Sequence, residues 1–269
     1  MQGKIHITNK RRIMKNLIYI MVFLMGSLAY GNQVVLDGLE HFWGFEDEKN
    51  PMEDDRGNLD GQAHGKIQHV PVEFSYTFND VIHLHGNLER QTFIRIPNEK
   101  LNRNSWSLEF WFGYGVHSED LENQEAEWID LEDGTVFEWG NIRVTYIYRT
   151  DQRNNTLLFR IDGREYTLDV DIFTYYQLVI NYNEREGGYN IWVDSVNYKF
   201  FKANPDIVGP SLVFGGNGFS GRFNDIKFYN RTLKGWEIVQ NFYAKRGLVI
   251  EPKGKLVTTW GRIKHEVGN

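Results

Sequence analysis

The sequence predicts an all-β chain, one large antiparallel sandwich closed by a single short helix near its C-terminal end. Three observations carry this. Short segments of alternating apolar and polar residues are separated by turn-forming clusters, and 26 glycines and 6 prolines among 269 residues supply those turns. Aromatic residues make up 15% of the chain. That fills the core of a sandwich of about 200–250 residues and leaves rings for the surface. The third is a change of period between Phe219 and Tyr243. Phe223, Asp225, Lys227 and Tyr229 alternate with Asn224, Ile226, Phe228 and Asn230, as in a strand. Leu233, Trp236, Ile238, Val239, Phe242 and Tyr243 then recur at three-to-four-residue spacing, which suits an amphipathic helix, with Thr232 placed to cap it.

Residues 1–31 read as a secretory signal peptide. Lys10, Arg11, Arg12 and Lys15 precede the short apolar run from Leu17 to Ala29, and the small residues Ala29 and Gly31 place cleavage after Gly31, whether translation starts at Met1 or at Met14. The run is too short for a membrane span of about 20 residues, so no span is expected after cleavage. The chain has no cysteine. This excludes disulfides, thiolate metal sites, cysteine nucleophiles and a lipoprotein anchor. A net charge of −6 without long charge runs points away from nucleic acid.

The strands follow in order. Leu39–Asp47 is aromatic-rich and leads into a turn-rich loop from Asp54 to Gly65. Val81–Gly86 and Thr92–Pro97 are two consecutive strand segments around a glycine. In Ser105–Phe112, Leu108, Phe110 and Phe112 share one face, and Glu109 and Trp111 the other. Val116–Glu127 is an acidic surface loop, and Glu127–Glu132 is a strand with Ile129 and Leu131 inward. Val136–Arg149 holds one or two strands with Ile142, Val144, Tyr146 and Tyr148 on one face. Two hairpins come next: Thr156–Ile161 with Glu165–Val170 across Asp162-Gly163, and Tyr175–Tyr182 with Tyr189–Val193. Leu212–Asn217 completes the set.

The run Gly221-Arg-Phe-Asn-Asp-Ile-Lys-Phe-Tyr-Asn-Arg-Thr-Leu-Lys-Gly-Trp-Glu-Ile238 resembles the closing strand and terminal helix of laminin G-like, concanavalin A-like lectin/glucanase domains. The resemblance implies a two-sheet antiparallel jelly-roll β-sandwich spanning residues 32–246, with 247–269 as a tail. It also implies that the final strand lies centrally, beside the N-terminal one. Functionally it implies a secreted, non-catalytic binding module, most simply for extracellular carbohydrate. The alternatives are a module that binds a surface protein, or a glycan-cleaving enzyme on the same fold.

Candidate residues follow from the alternation. Glu109, Trp111, Trp128, Asp130, Glu132, Arg143, Arg160 and Gln177 are expected on one concave face, where indoles stack on sugar rings and charged groups bind hydroxyls or anions. The competing reading is a solvated face whose opposite charges pair across strands. For catalysis, Glu127, Asp130 and Glu132 lie near the carboxylate spacing of some jelly-roll hydrolases, but Glu127 and Asp130 are three apart and face opposite ways in a regular strand. The resemblance also implies a structural Ca²⁺ at the Phe45-Glu46-Asp47 turn, with Asp47 and Asp225 as carboxylate ligands. His83 and His85 share a strand face without a third metal ligand nearby in sequence.

Overall fold

The computed structural model describes residues 34–71, 80–98, 101, 104–115, 132–149, 155–172, 174–203 and 209–244. The strands are β1 (Leu39–Trp43), β2 (Gln62–His64), β3 (Ile67–Val70), β4 (Val81–His85), β5 (Phe93–Pro97), β6 (Ser105–Tyr114), β7 (Gly134–Trp139), β8 (Ile142–Ile147), β9 (Asn155–Ile161), β10 (Arg164–Val170), β11 (Tyr175–Asn183), β12 (Gly188–Val193), β13 (Val196–Lys202), β14 (Ser211–Gly215) and β15 (Ser220–Tyr229), followed by helix α1 (Gly235–Tyr243). The first sheet runs β13-β12-β11-β6-β15-β4-β3, with β1 also on β15; the second runs β10-β9-β8-β7-β14-β5-β2. All pairings are antiparallel, and the two sheets form a jelly-roll sandwich. The core between them is aromatic. Phe110 packs edge-on against Phe214 at 5.1 Å, Trp106 lies 4.9 Å from Trp139, and Tyr114 stacks on Tyr146 at 3.9 Å. Each such fully buried ring contributes roughly 2–3 kcal/mol through removal from water.

The expected meeting of the first and last strands is present, with Leu39 opposite Tyr229 and Trp43 opposite Ile226. One edge of β15 is shared: β4 pairs with Ser220–Phe223, and β1 takes over from Ile226 to Tyr229. A β-bulge separates the two halves, and Asp225 sits in it at φ 49°. The extra residue shifts the alternation. Phe223, Ile226 and Phe228 enter the core, while Lys227 and Tyr229 join Leu39 and Phe42 on the outer side. The simple alternation that put Phe223 with Lys227, and Ile226 with Asn224, is therefore corrected.

The helix also departs from expectation. It starts at Gly235, not directly after Thr232, whose hydroxyl donates to the Tyr182 carbonyl at 3.1 Å. The Lys234 N–H instead donates to Glu237 Oε2 at 2.7 Å. Arg231 grips the same carboxylate with both guanidinium nitrogens at 2.8 and 2.9 Å. Burial would raise the Glu237 carboxyl, but Arg231 outweighs it and holds it below the usual range. The apolar stripe divides into two faces. Leu233 and Ile238 join Val35, Leu39, Val179 and Tyr229 in a second small core on the outer side of the first sheet. Trp236 and Tyr243 are 60% and 55% exposed.

Candidate functional site

Because α1 lies on the first sheet, part of the expected concave face is covered. Glu109 is fully buried. Its Oε1 accepts from Gln177 Nε2 at 3.0 Å, and its Oε2 from Asn241 Nδ2 of α1 at 2.6 Å. The Lys227 ammonium is 3.6 Å from Glu109 and 3.3 Å from Asp225. Burial alone would depress that ammonium, but the two carboxylates hold it above the ordinary lysine range. Trp111, one pleat further, is half-buried and stacks on Phe242 at 5.6 Å and 18°.

Arg143 and Arg160 do face outward, but on the other sheet. In the row Glu138–Arg143–Arg160–Glu165 across β7 to β10, Arg143 Nε donates to Glu138 at 2.8 Å and Arg160 Nε to Glu165 at 2.7 Å. The single surface of Glu109, Trp111, Arg143 and Arg160 is therefore corrected to two opposite outer faces. Periodicity assigns a side chain to a face of its own strand, but it does not say which sheet that strand joins. Glu132 lies just ahead of β7, where Arg90 pairs with it. Trp128 and Asp130 fall outside the described residues, as do the acidic loop and the Glu127–Glu132 strand up to residue 131.

Beyond α1, the first sheet brings together residues that the sequence scatters. Strand register aligns Gln68, His83, Arg222, Gly113 and Tyr175 in one row across β3, β4, β15, β6 and β11. Gly113 leaves room for the Tyr175 ring, which lies across it: a Cβ would stand 3.3 Å from that ring, a tight contact. One row nearer α1, Trp111 aligns with Asn224 and Gln177. His83 and His85 stack at 4.1 Å, and His85 Nε2 is 3.3 Å from Gln68 Oε1. Of these signals the sequence showed the His83/His85 alternation and the shared face of Trp111 and Gln177; the row through Gln68, Arg222, Gly113 and Tyr175 appears once the strands pair.

Where β1 meets the bulge of β15, carboxylates crowd. The Glu46 carboxyl is pushed up to about 7, by burial first and then by Asp55, Asp225 and Asp80. Asp55, which accepts from the Gly44 N–H at 2.9 Å, is pushed up to about 6, mainly by burial. Asp47 is turned away from this group and accepts from Lys49 and Asn50 N–H groups in its own turn. Among the described residues no three acidic or histidine side chains converge closely enough to hold an ion. Beside the cluster, Asp54 organises its loop. It accepts from the N–H groups of Phe42, Arg56, Gly57 and Leu59 and lies 2.5 Å from His41 Nδ1.

No family model and no curated protein matches the chain. Solved structures do. The binding domain of botulinum neurotoxin DC, solved in complex with rat synaptotagmin II, matches with a TM-score of 0.54 at 12% identity, over 78% of this chain and 52% of that one. A botulinum neurotoxin type C structure, whose cell entry is described as dependent upon interaction with two ganglioside molecules, matches at 0.53 and 13% identity, over 77% and 51%. Domain 4 of AbnA, a GH43 extracellular arabinanase from Geobacillus stearothermophilus in complex with arabinotriose, matches at 0.52 and 16% identity, over 76% of this chain and 97% of that one. The chain thus spans about half the length of the botulinum chains and nearly all of the arabinanase domain. At these identities the likeness establishes the sandwich fold. No described helix is long and apolar enough to cross a membrane.

Proposed function

We propose that the protein is a secreted, non-catalytic binding module of the laminin G-like kind, residues 32–246, whose ligand is extracellular carbohydrate. The observation that carries this is the register-aligned row Gln68–His83–Arg222–Gly113–Tyr175 with Trp111 beside it. On the outer side of the first sheet beyond α1 it sets the exposed Gln68 and the partly exposed rings of Tyr175 and Trp111 around buried His83 and Arg222. Hydrogen-bonding groups beside aromatic rings are what sugar rings and their hydroxyls need. The arabinotriose complex of the similar arabinanase domain agrees with such a use of the fold. Catalysis is disfavoured because Glu109 is committed to Gln177 and Asn241, and Glu132 lies ahead of a strand of the other sheet. The structural Ca²⁺ that the resemblance implies at Asp47 and Asp225 has no cluster of three acidic or histidine ligands among the described residues, and the proposed function does not depend on it. A surface-protein ligand is the second reading, favoured by the exposed Trp236 and Tyr243 of α1.

The test is a glycan array and polysaccharide pull-down with the full chain, with and without a chelator. Gly113→Leu fills the row and is expected to abolish binding, whereas Trp236→Ser with Tyr243→Ser leaves it intact. The reverse pattern would transfer the function to the α1 face and a protein partner.

A further inference from the structure

The histidine end of the row has a character of its own. His83 is 1% exposed, and among the described residues its Nε2 has no hydrogen-bond partner. His85, stacked above it, is half-buried, with exposed Gln68 and Lys66 at its side. The His85 N–H donates to the Lys66 carbonyl at 3.0 Å, so β3 and β4 hold these side chains at one strand end. Arg222 lies directly across from His83. Burial first, then Lys66 and Arg222, lowers the His85 imidazole, and burial, His85 and Arg222 lower that of His83. In a chain of net charge −6, this corner gathers two imidazoles, a guanidinium and an ammonium.

We infer that this corner receives the carboxylate or sulfate of a sugar residue, so that the ligand of the outer face is an acidic polysaccharide. The inference rests on the carbohydrate reading above and narrows its ligand class. The anion meets His85 and Lys66 at the surface, where charge-assisted hydrogen bonds form. Arg222, buried across the strand pair from His83, lies beneath. The neutral part of the ligand then reaches toward the partly exposed Tyr175 and Trp111.

The experiment is calorimetric titration of the full chain with three probes of matched length: oligogalacturonate, its neutral galactose counterpart and a sulfated galactan oligosaccharide. At least one acidic probe is expected to bind about tenfold more tightly than the neutral one, and the stronger of the two identifies carboxylate or sulfate. Raising the salt should erase the difference. Lys66→Glu with His85→Gln, both at or near the surface, should bring the affinity for the acidic probes down to that for the neutral one, with the unfolding midpoint unchanged. Equal binding of acidic and neutral probes, or an unaltered preference in that double variant, would overturn the inference while sparing the carbohydrate reading. Binding of none of the three, in a glycan-array-negative protein, would overturn both.

Discussion

Truncating Glu109 to alanine tests whether this residue binds ligand or holds the fold. The side chain is fully buried and accepts from Gln177 at 3.0 Å and from Asn241 at 2.6 Å, with Lys227 at 3.6 Å. Its removal leaves two buried amides without their acceptor and Lys227 with Asp225 alone among these carboxylates. Breaking one side of a buried charge pair costs about 3–5 kcal/mol, so Glu109→Ala should cost about 4 kcal/mol. In a domain of this size that lowers the thermal midpoint by about 8–16 °C. Glu109→Gln keeps the shape but places an amide donor against Gln177 or Asn241, and should cost about 2–3 kcal/mol. Because Asn241 belongs to α1, amide exchange in the helix should accelerate more than exchange in β8 and β9. Glu109→Gln combined with Lys227→Met should be less destabilising than the sum of the two singles. Urea unfolding followed by tryptophan fluorescence measures all four proteins. A Glu109→Ala protein within about 0.5 kcal/mol of the parent that had lost only ligand binding would refute this reasoning and restore Glu109 to the binding site.

Three further predictions follow from the loop, the acidic cluster and the second sheet. Asp54→Ala exposes no new surface but strands the buried N–H groups of Phe42 and Leu59, and should cost about 3 kcal/mol by urea unfolding, against about 1–2 kcal/mol for Asp54→Asn. Hydrogen bonds from His41, Gly57 and Phe42 overcome burial and lower the Asp54 carboxyl, so its contribution is present at neutral pH and lost as pH falls through its folded value. Glu46 and Asp55 act with the opposite sign. Their carboxyls rise from 4.5 to about 7 and from 3.8 to about 6, so the folded state retains protons that the unfolded chain releases, and stability declines as pH climbs through that window. After solvent screening the effect is on the order of 1 kcal/mol; Glu46→Gln with Asp55→Asn should flatten it. Finally, Arg143→Ala with Arg160→Ala removes two half-exposed cross-strand pairs, should change stability by less than about 1 kcal/mol, and should leave glycan binding untouched.

What the sequence made legible was local. The Asp162-Gly163 hairpin and the β6 faces follow from turn chemistry and period and lie where they were expected; the closing strand and its helix are present as expected, with the strand's faces shifted by the bulge and the helix starting at Gly235. β13 was missed because Val196, Tyr198 and Phe200 alternate with polar residues yet face solvent at a sheet edge, so no core pattern marks the strand. β2 and β3 are three and four residues long and adjoin a run of turn residues. The bulge at Asp225 was invisible because one inserted residue leaves no mark in composition. Arg231 and Glu237 illustrate the other limit: both stood in the recognised motif, but their bidentate grip depends on where α1 crosses the sheet. The row from Gln68 to Tyr175 is non-local throughout, assembled by register alone.

The place of β15 has a consequence for biosynthesis. This strand is flanked by β6 on one side and by β4 and β1 on the other, so the middle of the first sheet is the last of the described strands to be made. Until Ser220–Tyr229 has left the ribosome, β4 and β6 present unpaired edges with a gap between them. A nascent chain of this topology cannot complete its core as it emerges, and its dominant contacts join segments far apart in sequence, which slows folding. The first sheet therefore stays open through most of the synthesis of the described residues and closes only when Ser220–Tyr229 arrives to fill the gap.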